Sequence, residues 1–197
     1  MRRFVCDGTL GALCRWLRAA GHDTAFLGPV RRVRRDEPAQ ADSLLECAVR
    51  EERLVLTRSP RVAERLGPRA HLVQDDVVFH QILEVSRALD LSLVKHALTR
   101  CREDNTPLVP VDPQAARGRV PPYVAATQHS FVGCPSCGRV YWGATHRDSM
   151  LQRLEELEAL RTAVSQVAPP RPPAEAAPPW PAPLGHGTAT AARRRPP

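Results

Sequence analysis

Lysine is almost missing from this chain: Lys95 is the only one among 28 basic residues, and the rest are arginine. Also missing is any apolar run near the roughly 20 residues that a membrane span requires, so no transmembrane segment is expected. The opening stretch, Met1-Arg-Arg-Phe-Val-Cys-Asp7, is interrupted by Asp7 before a hydrophobic core can form, which is not the pattern of a signal peptide. A cytoplasmic location is therefore expected. There is no internal repeat to indicate a solenoid. Six cysteines in such a chain point to metal ligands or buried thiols rather than disulfides.

What remains is 197 residues with 43% hydrophobic content, enough for one folded domain with a small module and a tail. The net charge is +7 and the isoelectric point about 9.7. Arginine pairs with phosphate through a planar fork, so this excess suits nucleic-acid binding. A coding bias toward Arg, Ala and Pro produces the same excess, so the charge permits an acidic partner without requiring one.

Hydrophobic periodicity switches repeatedly between the strand and helix patterns. The first strand, Arg3-Phe-Val-Cys6, ends at Asp7-Gly8. Leu10, Leu13, Cys14 and Leu17 then recur at helical spacing, with Gly21 as the stop. The pattern continues with a strand at Asp23–Leu27 and a basic loop at Gly28–Arg35. Next come a helix from Ala39 to Glu52, with Leu44, Leu45, Ala48 and Val49 facing the core, and a strand at Arg53–Thr57. A short helix at Pro60–Leu66, a strand at His71–Gln74 and a helix at Val77–Leu89 follow. Such alternation predicts an α/β fold, a mainly parallel sheet covered by helices on both faces. Cys6, Cys14 and Cys47 fall inside apolar periods and are expected in the core.

Beyond Ser92 the reading predicts a helix to Thr99, turn-rich sequence from Cys101 to Gly143 with Val120–Val124 extended by its prolines, and a helix from Asp148 to Val167. Met150, Leu151, Leu154, Leu157 and Leu160 mark one side of that last helix. Ten of the 20 prolines lie in residues 168–197, so this tail cannot build a core and is expected to be disordered. The division predicted is 1–98, 99–147, 148–167 and 168–197.

In an open α/β sheet, ligands bind beyond the carboxyl ends of the strands. Asp7, Thr57-Arg58-Ser59 and Asp75-Asp76 end the first, third and fourth strands, and Asp42 lies near the start of the second helix. Carboxylates gathered there would repel one another unless a cation such as Mg²⁺, an oxygen-seeking ion, lay between them. Each aspartate taken singly is also what a helix cap or turn requires. Farther on, Cys134-Pro-Ser-Cys137-Gly has the form of a zinc knuckle, while Cys101-Arg-Glu-Asp104-Asn places an aspartate where a second cysteine belongs.

The stretches FVCDGTLGALCRWLRAAGHDT, RLVLTRS, QILEV, RCREDNTPL, VPPYV and FVGCPSCGRVYWGATH occur in that order over residues 2–150. Together they resemble the Mut-seven C-terminal RNase domain family, a PIN-like nuclease fold followed by a zinc ribbon. The resemblance implies a ribonuclease that uses Mg²⁺ or Mn²⁺, with RNA as partner. It maps the acidic positions onto Asp7, onto Asp42 with Asp36, Glu37 and Glu46 nearby, and onto Asp75 or Asp76. The third acidic position, the aspartate of an LTRD motif, is Ser59 here and brings no charge. In the ribbon, Cys101, Cys134 and Cys137 match, and Asp104, His146 or His129 is left to complete a zinc site. Arg15, Arg18 and Arg58 are candidate phosphate contacts, and Tyr141 and Trp142 either stack on a base or pack behind the ribbon. Two expectations result: a metal-dependent ribonuclease, or an RNA-binding protein whose cleavage is impaired at Ser59. Nothing in the chain indicates a protein partner.

Overall fold

The computed structural model describes residues 2–28, 37–143 and 145–167, with side chains for all of these except 37–40, 145–146 and 164–167. The predicted basic loop after Gly28, Asp36, the side chain of His146 and the whole tail from 168 onward lie outside the described residues.

Strands β1 (Arg3–Cys6), β2 (Thr24–Phe26), β3 (Arg53–Thr57) and β4 (Ala70–Leu72) form a parallel sheet in the order β2-β1-β3-β4. Period-two alternation divides the strands between two cores. Phe4, Cys6 and Leu56 face one side, where they meet Leu13 and Leu17 of α1 (Gly11–Ala19). Val5 and Val55 face the other, against Ala41, Leu44 and Ala48 of α2 (Glu37–Glu51) and Val62 and Leu66 of α3 (Pro60–Leu66). Both faces are thus covered, as a parallel sheet requires. Helix α4 (Val78–Ala88) joins the α1 side through Ile82 and Val85. All three cysteines expected in these cores, Cys6, Cys14 and Cys47, are buried. On α2, Val49 is 47% exposed instead of facing the core, because Ala41 and Cys47 take the inward positions.

A second, antiparallel sheet holds β5 (Val109–Val111), β6 (Phe131–Gly133) and β7 (Val140–Trp142) in that order. Periodicity gave no sign of these strands, each only three residues long. Short helices α5 (Pro113–Ala116) and α6 (Pro122–Thr127) separate β5 from β6. The extended run expected at Val120–Val124 therefore stops at Pro121: proline is tolerated in a first helical turn, and Pro122 opens α6. No helix forms at Ser92–Thr99 either. Its amides go elsewhere: Leu93 N–H to Glu158, Val94 and Lys95 N–H to Ser92 Oγ, and Leu98 N–H to Ala19 O at 2.6 Å. Leu98 has φ +61°. Gly21 makes this packing possible, since a Cβ there would lie 2.0 Å from His96 O.

Helix α7 (Thr145–Val167) starts three residues earlier than its sequence pattern predicts. Met150, Leu154 and Leu157 are buried in the core that contains α1 and α4, while Leu160 is 53% exposed.

Candidate functional site

The order β2-β1-β3-β4 reverses direction between β1 and β3. At this switch, the crevice beyond the carboxyl ends opens between adjacent strands. Asp7 directly follows β1 and is 2% exposed. Its Oδ1 accepts hydrogen bonds from the Thr9 amide at 2.8 Å and the Thr9 hydroxyl at 2.5 Å. Its Oδ2 accepts from the Thr57 hydroxyl and from the Arg58 amide at 3.2 Å. The carboxylate thus ties the end of β1 to the end of β3. The Arg58 guanidinium reaches onward to Asp76, beyond β4.

The other expected residues are placed as follows. The Ser59 hydroxyl caps α3 by accepting from the Val62 amide at 3.3 Å. Asp75 accepts from the Val77 amide at 2.8 Å and lies 3.2 Å from His80 Nδ1. The Val77 amide is the first cause holding its carboxyl below the ordinary range. Exposed Asp42 pairs with Arg65 of α3 at 2.5 Å. No three of Asp7, Asp42, Asp75 and Asp76 gather as a metal-ligand group; among the described residues, the cysteine cluster is the group that does. Both oxygens of the one buried carboxylate already accept hydrogen bonds, and Arg58 supplies positive charge beside Asp76. This donor set fits a divalent cation poorly.

The knuckles are different. Cys101, Asp104, Cys134 and Cys137 place one ligand atom each within 4.8 Å of one another, a group that could hold a metal ion such as zinc. Cys101 Sγ and Cys137 Sγ are 3.7 Å apart. A tetrahedron with Zn–S bonds of about 2.3 Å has an edge of about 3.8 Å. Asp104 lies 3.1 Å from Cys134 Sγ. Burial pushes the Asp104 carboxyl up, but hydrogen bonds from Cys134 and the Thr106 amide outweigh it and hold it well below the usual range. A carboxylate kept ionised is what a cation needs. His129 is not in this cluster.

The two knuckles repeat one backbone design. The Asn105 amide donates to Cys101 O, and the Gly138 amide donates to Cys134 O, each at 3.0 Å. Asn105 and Gly138 have φ +74° and +73°, the left-handed conformation that glycine and asparagine tolerate best. Asn105 and Arg18 join the first knuckle to the parallel sheet. Asn105 Oδ1 accepts from the Thr24 amide at 2.9 Å, and its Nδ2 donates to Asp23 at 2.7 Å. The buried Arg18 guanidinium donates to Thr24 O, Arg102 O and Glu103 O at 2.8, 3.1 and 2.6 Å. Arg15, by contrast, is half exposed, 3.8 Å from Glu103. Sequence reasoning gave no role to Asp23, which belongs to no motif, and placed Thr57 at the strand end without foreseeing its bond to Asp7.

The Mut7-C RNAse domain model matches residues 2–154. The chain belongs to the Mut7-C RNase domain family. The match spans the parallel sheet, both knuckles and the first part of α7, so the Mut7-C domain contains both features described above. Neither among curated proteins nor among solved structures is there a match.

Proposed function

We propose that this Mut7-C domain is a ribonuclease acting on RNA phosphodiesters at the carboxyl edge of a PIN-like domain spanning residues 1–98, with a zinc ribbon over 99–147. The observation that carries this reading is Asp7, buried at the switch between β1 and β3 in a chain of an RNase family. Here Asp7 fixes the Thr57 hydroxyl and the Arg58 amide, and Arg58 and Arg15 hold phosphate oxygens. Arg18 is a positioning residue that sets the first knuckle against the sheet. The family resemblance implies Mg²⁺ or Mn²⁺ and draws on Asp42, Asp75 and Asp76. Zinc on Cys101, Asp104, Cys134 and Cys137 would serve folding rather than chemistry, since all four positions are filled by protein. Six free cysteines suit a reducing, cytoplasmic setting. No helix among the described residues is long and apolar enough to cross a membrane.

One observation favours a second reading, an RNA-binding protein impaired in cleavage. Ser59, at the position where the family resemblance implies an acid, uses its hydroxyl as a helix cap. The test is cleavage of single-stranded RNA by the purified chain with Mn²⁺ or Mg²⁺, beside Asp7→Asn and EDTA controls. Cleavage lost in both controls supports the nuclease. RNA bound but left intact supports the second reading.

A further inference from the structure

A cavity of about 200 Å³ opens between the antiparallel sheet and α7, away from the residues of the sheet edge. Its lining is mostly apolar, with Leu98, Val132 and Met150 beside Tyr141 and Trp142, the latter also packed against the ribbon's core. Arg100, Arg102 and Arg147 also line it, and no carboxylate does. The three arginines are not equivalent. Arg100 donates to Asn105 O at 2.8 Å, and Arg147 lies 3.9 Å from Asp148. The Arg102 guanidinium has no hydrogen-bond or ion-pair partner among the described residues, although its backbone is fixed by Arg18. The Tyr141 hydroxyl lies 3.1 Å from Cys101 Sγ, so one wall of the cavity touches the metal knuckle itself.

This chemistry selects its occupant. An apolar slot with aromatic walls takes a planar ring, and a cationic rim without acids takes an attached anion. We propose that this cavity binds one unpaired nucleobase of an RNA strand, with Arg102 on the adjoining phosphate. The base stacks on aromatic side chains, which is how proteins engage unpaired RNA. The proposal rests on the reading that RNA is the substrate. The chain's own tail carries Trp180, but it also carries Arg171 and Arg193–Arg195 against a single acid, Glu175, and so repels the same rim.

Trp142 can report directly once Trp16 and Trp180 are replaced by phenylalanine in the full chain. Its fluorescence is followed while adding single-stranded oligouridylate of roughly twelve nucleotides, or an abasic strand of equal length, without added Mg²⁺ or Mn²⁺. The base-bearing strand is expected to quench Trp142 and to bind about tenfold more tightly than the abasic one. Trp142→Leu, followed with labelled strands, removes that preference. Arg102→Ala, on the rim and outside any core, weakens both strands severalfold with zinc content unchanged.

Equal affinity for the two strands without quenching overturns the proposal while leaving the ribonuclease reading intact. Base-dependent quenching without cleavage in Mn²⁺ does the reverse. A chain that binds neither strand sinks both. If removing residues 168–197 shifts Trp142 emission before any RNA is added, the occupant is the tail and the proposal fails.

Discussion

Asp104 stands in the first knuckle where Cys137 stands in the second: each is three residues after a buried cysteine, and each precedes a residue of left-handed φ whose amide closes the turn at 3.0 Å. The backbone repeats and only the ligand atom differs. One zinc per chain is the expected stoichiometry. Even partners one step removed from a metal cost about 10–100-fold in affinity when lost, so Asp104→Ala is expected to weaken zinc by at least about 100-fold. Asp104→Cys completes a four-thiolate site and tightens it. Competition with a chromophoric chelator measures both; equal affinities for all three proteins would remove Asp104 from the site.

Chelation should act on the ribbon before the parallel sheet. The ribbon's own core is small, built on Ala116, Val120 and Phe131. Metal-coupled modules of that size loosen when emptied. Limited proteolysis with and without EDTA is expected to open cuts between residues 101 and 143 first, while the sheet of β1–β4 stays protected.

Asp7 is expected to matter twice. Asp7→Ala strands the Thr57 hydroxyl and three other donors, and charge-assisted hydrogen bonds contribute about 1.5–3 kcal/mol each. A loss of about 3 kcal/mol in urea unfolding is expected, since the groups partly rehydrate. Asp7→Asn keeps the shape and should cost less stability while still abolishing RNA cleavage. An active Asp7→Asn protein would place the chemistry elsewhere.

Ser59→Asp separates capping from chemistry. Aspartate caps a helix as well as serine does, so α3 should keep its stability to within about 0.5 kcal/mol. The added carboxylate supplies the acid that the family resemblance implies at this position, and cleavage of single-stranded RNA with Mn²⁺ is expected to rise at least about tenfold, as a proper general-acid or metal-binding carboxylate allows. Unchanged rates would mean that Ser59 is not what limits the site.

Acid should destabilise the fold through His22. Burial lowers the affinity of its ring for a proton, although the Ser92 carbonyl, 2.9 Å from Nε2, opposes this. Its folded value therefore lies below the ordinary 6.5. The unfolded chain binds the proton more readily, so this stability is present above 6.5 and is lost as pH falls through that value toward the folded one. Urea midpoints between pH 8 and 5 should fall. His22→Gln should make the fall shallower without removing it, because burial lowers His71 in the same direction.

The order and type of the first eight elements, β1 to α4, were legible in the sequence because apolar runs and helical periods alternate there between clear turn signals. The strands of the antiparallel sheet were not: they lie in turn-rich sequence with no long helical period on either side of each, and only pairing across twenty to twenty-four residues of chain makes Val109–Val111 a strand. The candidate site divides in the same way. Cysteine spacing alone identified three of the four knuckle positions, and among the described residues the fold brings Asp104 to them, 3.1 Å from Cys134. It also turned Arg18 inward onto three carbonyls, surrounded the Asp7 carboxylate with donors and left Arg102 at the rim of an aromatic cavity. Those outcomes depend on which groups meet across the fold, and a pattern read along one chain contains residue types and spacings but not the partners that tertiary packing supplies.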